Sequence, residues 1–122
     1  AGPAVMHELL ARMAEFGAAS FLCVIKDCGA EGEGLLSFPM PGVLVALDLP
    51  IRDNTQQVVD ALNEFVASAG GRIYLAKDAF TRAEHFRRME PRLDAWLAIR
   101  RRWDPAGSLR SAQSVRLFGD RP

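Results

Sequence analysis

The chain has 122 residues, enough for one compact domain and too few for two. Hydrophobic residues make up 49% of it and charged residues 25%, which is ordinary for a globular protein, and no apolar run approaches the roughly 20 residues that span a bilayer. Fifteen basic and fifteen acidic side chains cancel, but residues 1–61 carry a net charge of −5 and residues 62–122 a net charge of +5.

The first half of the chain predicts one helix and two strands. Apolar side chains recur at helical spacing over 3–16 and predict a helix with one buried face. Residues 20–27, SFLCVIKD, are rich in branched and aromatic side chains and predict a strand. A second strand is predicted over 42–51, where Pro50 ends the pairing or marks an edge. The connection between the two strands permits an irregular antiparallel hairpin.

The two cysteines are five residues apart around the first predicted strand. An odd spacing places Cys23 and Cys28 on opposite faces, so we expect no disulfide between them. Free thiols are typical of a reducing compartment, which predicts a cytoplasmic location. His7 and His85 lie far apart and outside the spacing of metal ligands, so no metal site is predicted.

A second helix and a third strand follow. Asn54 with Gln57 is typical of a capping pair that opens a helix, and Gly70 with Gly71 is expected to end it. The next six residues, RIYLAK at 72–77, predict a short strand with a lysine at its end.

The remaining sequence predicts helices and a weakly patterned tail. Thr81 with Glu84 forms the sequence pattern of a capping box, which opens a helix that Pro91 interrupts or restarts. The restarted helix is expected to end near WDPAG at 103–107, and the tail at 108–122 shows only a weak pattern.

This order of elements predicts an α+β fold, with an antiparallel sheet of about three strands and helices packed on one face. If the parent sheet were ferredoxin-like, the chain would be its second half, and the absence of a further strand would leave a sheet edge exposed or repacked. The opposite charges of the two halves allow two interpretations: the halves attract one another, or the basic half faces an anionic partner.

No single motif carries chemistry, because the sequence has no phosphate-binding loop, no GxGxxG and no GxSxG. We interpret His85 as a partly exposed helix residue rather than a general base. Trp96 and Trp103 are seven residues apart and predict a packing stripe, and the arginines at 100–102 are typical of the last turn of a helix. Residue types alone indicate that Lys77 is a solvated lysine at a strand end.

A family resemblance changes the interpretation of Lys77. Four stretches, in this order, resemble the C-terminal region of FAD-linked oxidases of the vanillyl-alcohol-oxidase type. Any one of them alone would be a weak signal, whereas the ordered set is specific. The stretches are LSFPMPG at 36–42, VALDLPI at 45–51, GGRIYLAKDAFTRAEHFRRMEPRLDAW at 70–96 and RRWDPAGSLRSAQSVRLFG at 101–119.

The resemblance implies a domain organisation and a site. Residues 1–105 match the C-terminal part of a substrate-binding cap with a helical segment, and residues 106–122 match a tail that returns to an FAD-binding domain outside these residues. Lys77 matches the family lysine that lies over the flavin, which makes it both the catalytic and the cofactor-binding candidate. Its ammonium would orient the flavin and the substrate hydroxyl and would stabilise developing negative charge.

Two positions depart from a family member that oxidises a lipid-linked sugar. Ala46 stands where that member has a reactive cysteine, and Val43 stands where it has a tryptophan. These differences leave a flavin oxidase as the expectation but open the substrate to other sugar-like alcohols.

The sequence therefore predicts the C-terminal fragment of an FAD-dependent oxidoreductase, acting on an alcohol of a small-molecule or lipid-linked carbohydrate by hydride transfer to flavin. The fragment alone is expected to be inactive and to bind FAD weakly or not at all. The alternative is a non-catalytic ferredoxin-like module that binds a partner or forms a homodimer. Nucleic acid is not expected as a partner, because the total charge is neutral and no RNA-binding aromatic motif is present.

Overall fold

The computed structural model describes residues 2–18 and 21–121. Residue 20 of the predicted first strand and residue 122 of the tail lie outside the described residues. Helices dominate the described part of the chain, and its elements follow one another as α1 Pro3–Glu15, β1 Cys23–Cys28, β2 Gly42–Leu47, α2 Thr55–Ser68, a 3₁₀ turn at Leu75–Lys77, α3 Ala83–Met89, α4 Leu93–Trp103 and α5 Ala112–Phe118.

The two strands form the predicted antiparallel hairpin. Their register runs from Cys23 opposite Leu47 to Cys28 opposite Gly42. Both cysteines are free thiols at the two ends of β1, and their odd separation places them on opposite faces of the sheet. The α+β class and the antiparallel sheet are therefore confirmed.

The third predicted strand is wrong. Tyr74 is extended, but Leu75–Lys77 form a 3₁₀ turn in which the backbone N–H of Lys77 donates to the carbonyl of Tyr74 at 3.1 Å. Within the described residues the sheet has two strands, so no third ladder partner receives this segment. Branched and aromatic residues favour a strand only where a neighbouring strand supplies the other half of the hydrogen bonds.

The first hydrophobic cluster joins α1, α2 and the end of β2. Met13 packs with Val58 and Leu62, and all three side chains are buried. Leu47 and Leu49 reach this cluster from the second strand and the residues after it. The amphipathic patterns of the first two predicted helices thus meet each other, and the hairpin is attached to them through one end.

The second cluster holds the helices of the C-terminal half together. Phe86, Leu93 and Leu117 come from α3, α4 and α5, and each is at most 3% exposed. Trp96 packs on the ring of Phe118, with centroids 4.7 Å apart. The weakly patterned tail therefore contains a helix, α5, that completes this core.

Ion pairs join the acidic first half to the basic second half. Glu31 pairs with Arg72 and with Arg92, and Asp60 pairs with Arg82 at 2.8 Å. These contacts support the interpretation that the two halves attract one another. In the part of the chain that the structure describes, the arginines on α4 form no ion pair with the first half.

Two predicted capping pairs are absent. Asn54 precedes α2 but its side chain makes no capping hydrogen bond. Helix α3 starts at Ala83 rather than at the residue after Thr81, and the Thr81 hydroxyl bonds to Asp78 instead. A capping hydroxyl accepts from a helix N–H, whereas the Thr81 hydroxyl accepts from the amide of Asn63. The capping box that the structure does contain is Ser111 with Ser114, at the start of α5.

Candidate functional site

Lys77 is the last residue of the 3₁₀ turn, and its side chain is exposed. Within residues 2–18 and 21–121, its ammonium forms neither a hydrogen bond nor an ion pair. All three of its N–H donors are thus available to a molecule that approaches from outside. An exposed lysine is ordinary, so the significance of this one depends on how the turn beneath it is held.

Asp78 anchors the chain directly after Lys77. One oxygen of its carboxylate accepts from the Thr81 hydroxyl at 2.6 Å and from the Thr81 backbone N–H at 2.9 Å. The other oxygen accepts from the guanidinium of Arg116 at 2.8 Å. Arg116 also donates to the carbonyls of Asp78 and Thr81. Residues 78–81 are therefore closed into a loop by one carboxylate and then tied to α5.

This anchor extends into the buried part of the molecule. Thr81 is only 1% exposed and Asn63, on α2, only 3%. The amide of Asn63 donates to the Thr81 hydroxyl at 3.0 Å. The hydroxyl thus accepts from α2 while it donates to Asp78, which satisfies a buried polar group on both sides. The residues after Lys77 are linked in this way to both α2 and α5.

The 3₁₀ turn itself has a separate tie to α5. The side-chain amide of Gln113 donates to the carbonyl of Leu75 at 2.6 Å. Leu75 also packs against the second hydrophobic cluster. Lys77 is therefore held on both sides, by Leu75 before it and by Asp78 after it, while its own side chain remains free to move. A donor on a fixed backbone is the arrangement that positions a ligand at low entropic cost.

The electrostatics of Asp78 favour its ionised form. Burial by itself would raise the pKa of this carboxyl group, but the hydrogen bonds from Thr81 and the hydrogen bond and charge of Arg116 outweigh it. The net pKa of Asp78 therefore lies below its ordinary value. Because Arg116 neutralises Asp78 locally, the carboxylate beside Lys77 is already paired and does not compete for the ammonium.

The SFPM stretch contacts the residues before Lys77. The ring of Phe38 packs on that of Tyr74, with centroids 5.2 Å apart, and Tyr74 remains 48% exposed. The loop that carries this stretch is clamped by Arg92, which donates to the carbonyl of Ser37 at 2.9 Å and binds the buried carboxylate of Glu90 with two nitrogens. Two of the four stretches that carry the resemblance therefore lie together beside the lysine turn.

Two other predictions about functional residues are wrong. His85 is 8% exposed, buried between α3 and α2 with its ring nitrogens 3.6 Å from Glu64 and 4.0 Å from Asp60, rather than partly exposed. Trp96 and Trp103 do not form a packing stripe, because Trp96 is partly buried against Phe118 and Trp103 is 82% exposed. Trp103 is the last residue of α4 and lies at its exposed end.

The site is an open surface rather than an enclosed pocket. Of two small cavities, one lies beside Pro50 and Thr55 and the other is lined by Phe38, Phe86 and Leu75 of the lysine turn, and Lys77 lines neither. The first has about 20 Å³ of space, which is room for one water. No cluster of three metal-ligating side chains exists in the described part of the chain. None of the helices found there is long and apolar enough to cross a membrane.

No family model matches the chain. It is 45% identical over 98 residues to a protein of Mycolicibacterium smegmatis (strain ATCC 700084 / mc(2)155) named decaprenylphosphoryl-beta-D-ribose oxidase. The resemblance predicted from the sequence is confirmed. The alignment covers 80% of this chain and 21% of that relative. The chain is also 37% identical over 114 residues to a Streptomyces coelicolor protein described as an uncharacterized protein in the mprA 5' region, covering 93% of this chain and 31% of the relative.

The chain thus spans about a fifth of the length of the first relative and about a third of the second. The lysine identified from the sequence lies on the surface in an anchored turn, whereas the residues that anchor it were not predicted. Asn63 belongs to α2 and Gln113 and Arg116 belong to α5, and nothing in their local sequence marks them. The stretches of the resemblance include Gln113 and Arg116 and could have drawn attention to these two, whereas Asn63 lies outside them.

Proposed function

We propose that the chain is part of an FAD-dependent oxidoreductase that oxidises an alcohol group of a carbohydrate-like substrate. The observation that carries the proposal is the exposed ammonium of Lys77 on a turn fixed by α2 and α5, within a chain that is 45% identical to a named oxidase. We further propose that residues 1–105 belong to a substrate-binding cap and that 106–122 return to an FAD-binding domain of the same polypeptide. The free cysteines support a cytoplasmic location.

The residues present fit a flavin and a hydroxylated substrate at one position. Lys77 offers three N–H donors, has no partner among the described residues, and is next to a carboxylate that Arg116 already neutralises. FAD, when bound, supplies a two-electron acceptor for the hydride that leaves the carbinol carbon. The ammonium donates a hydrogen bond to the substrate oxygen and stabilises the negative charge that grows there as the C–H bond breaks. The anchored backbone of 75–78 keeps that donor in place.

The substrate class is a sugar or sugar lactone, free or attached to a lipid. By the resemblance, two β2 residues, Val43 and Ala46, stand where the family member that oxidises a lipid-linked sugar has a tryptophan and a reactive cysteine. Val43 is exposed, whereas Ala46 is partly buried opposite Val24. Neither side chain can form a hydrogen bond, so we assign substrate orientation to Lys77 rather than to the sheet.

The test is anaerobic flavin reduction in the complete gene product. Lys77→Ala is expected to slow the reduction by substrate about a hundredfold while the FAD content, read from the visible absorption of the purified protein, stays at the wild-type value. The matched control is Lys26→Ala, which removes the other lysine of the chain, exposed on β1. Reduction of Lys77→Ala at the wild-type rate, or a colourless product that ignores added FAD, rules the proposal out.

A binding or oligomerisation module is the second candidate, favoured by the small sheet. Each strand has one outer edge without a partner among the described residues, and Ile25 is 49% exposed beside it. Open edges are templates for pairing with another chain. A complete gene product that lacks flavin, and whose self-association is abolished by Ile25→Lys, would establish this candidate in place of the first.

A further inference from the structure

We propose that the end of helix α4 is a docking surface for an anionic membrane interface. The surface, which we call the α4 tip, consists of exposed residues at the end of that helix and in the loop after it. Its members are Ile99, Arg101, Arg102, Trp103 and Leu109. The tip contains none of the residues around Lys77, and one member, Leu109, lies in the segment 106–122 that we propose returns to the FAD-binding domain.

Three large apolar side chains of the tip lie in solvent. Ile99 is 51% exposed, Trp103 82% and Leu109 75%. Ile99 and Trp103 are four residues apart, so they are neighbours on one helical face. The loop brings Leu109 to the same end, since its N–H donates to the carboxylate of Asp104 and its carbonyl accepts from Arg100. Exposed apolar residues that cluster in this way mark an interaction site more often than isolated ones do.

The charge around these side chains is strongly positive. Residues 99–121 contain six arginines and two aspartates, a net charge of +4. Both aspartates are engaged, because Asp120 pairs with Arg100 and Asp104 accepts from backbone N–H groups. Arg101 and Arg102 are exposed, and within the described residues neither forms an ion pair. The tip therefore combines unpaired arginine side chains with apolar side chains. A partner that complements it carries negative charge next to hydrocarbon.

A bilayer rich in acidic phospholipid has that chemistry. Tryptophan is favoured at the membrane–water interface, leucine and isoleucine favour the acyl region, and each basic residue near an anionic surface adds to the affinity. Nucleic acid fits less well, because Ile99 and Leu109 have no flat π surface on which a base could stack. A second copy of the chain would bring the same arginines together, and like charges at an interface oppose association.

The test is co-sedimentation of the complete gene product with vesicles of phosphatidylcholine alone or mixed equally with phosphatidylglycerol. We expect binding to the mixed vesicles only. Trp103→Ser is expected to weaken it about tenfold and Arg101→Gln with Arg102→Gln about twentyfold.

The matched charge control is Arg82→Gln with Arg87→Gln, two exposed arginines that already form ion pairs. The matched aromatic control is Phe21→Ser, which removes a fully exposed ring elsewhere.

Both controls are expected to bind as the wild type does. Because the altered side chains are exposed, urea unfolding should give unchanged midpoints and so separate a loss of binding from a loss of folding. Three outcomes overturn the proposal: no binding to anionic vesicles, binding that the tip variants leave intact, or a complete protein in which the tip is covered. Protection of Trp103 from acrylamide quenching would reveal the last outcome, and sedimentation would show whether a second copy is the cover.

Discussion

The guanidinium of Arg116 lies 2.8 Å from the carboxylate of Asp78, and this ion pair joins the last helix to the residue that follows Lys77. The two partners are 38 residues apart in the chain. Asp78 is 7% exposed at its side chain and Arg116 27%, so water screens the pair only in part. The position of the candidate lysine therefore depends on a contact that is distant in sequence.

Loss of this ion pair should destabilise the chain. We expect Arg116→Gln to lower the free energy of unfolding by about 2 kcal/mol, because a buried carboxylate and two carbonyls lose a charged donor. The matched control is Arg87→Gln, whose pair with Asp94 is exposed and should matter by less than about 0.5 kcal/mol. Urea unfolding of the two variants measures the difference, and equal effects would show that the pair is no stronger than a surface contact.

The stability of the chain should fall on the acid side for the same reason. The pKa of Asp78 is depressed in the folded state, so its contribution to stability is complete above the unfolded value of about 3.9 and is lost as the pH falls through the lower folded value. Unfolding midpoints at a series of pH values should therefore drop below about pH 4. Asp78→Asn should be less stable at neutral pH and show a shallower drop. A parallel decline in both proteins would contradict this origin of the acid sensitivity.

Glu90 is a second contributor to that acid transition. Its burial would raise the pKa, but hydrogen bonds from Arg92 outweigh the burial and the net pKa is lowered. Since the sign is the same as for Asp78, its contribution is also lost at low pH. The Glu90→Gln variant should therefore remove a further part of the decline, and the double variant with Asp78→Asn should be the least pH-dependent of the set.

The Thr81 hydroxyl should matter more than its methyl group. Thr81→Val keeps the shape but leaves the amide of Asn63 and the carboxylate of Asp78 short of one partner each, and we expect a loss of about 2 kcal/mol. Thr81→Ser keeps the hydroxyl and should cost about 1 kcal/mol from the lost methyl group. Denaturant unfolding of both variants provides the measurement. Greater stability of the valine variant than the serine variant would contradict the assigned role.

The core of the C-terminal half offers a test within one helix. Leu93 is 2% exposed and packs with Phe86 and Leu117, so Leu93→Ala should cost about 3 kcal/mol. Ile99→Ala removes an exposed side chain from the same helix and should change stability by less than about 0.5 kcal/mol. Thermal unfolding monitored by circular dichroism compares them. Similar costs would mean that α4 buries a different face.

The sequence predicted the parts of the fold that rest on local pattern. The periodic apolar residues of α1 and α2 were enough because they pack on the face that their spacing defines, and the branched residues of β1 and β2 were enough because the two strands pair with each other. For residues 72–77 the local pattern gave the wrong prediction. They have the composition of a strand, but no strand among residues 2–18 and 21–121 pairs with them, and a side chain of α5 donates to the Leu75 carbonyl instead.

Long-range polar contacts explain the other errors. Thr81 and Glu84 have the spacing of a capping box, but the Thr81 hydroxyl accepts from the amide of Asn63 and donates to Asp78, and α3 begins only at Ala83 without a side-chain cap. The tail gave little periodic signal because α5 is only seven residues long and two of them, Ser114 and Leu117, are buried. Lys77 itself was found through the resemblance, since a single exposed lysine has no local signature.

The dependence of the lysine turn on α5 has a consequence for how the protein is made. A ribosome that has added Asp78 must add 38 more residues before Arg116 exists, which takes roughly two to eight seconds at about 5–20 residues per second. Throughout that interval the nascent segment around Lys77 lacks its ties to Gln113 and Arg116. The contacts that hold the lysine turn are therefore completed late in biosynthesis, and a polypeptide truncated upstream of α5 keeps the contacts of Thr81 with Asp78 and Asn63 but lacks those from α5.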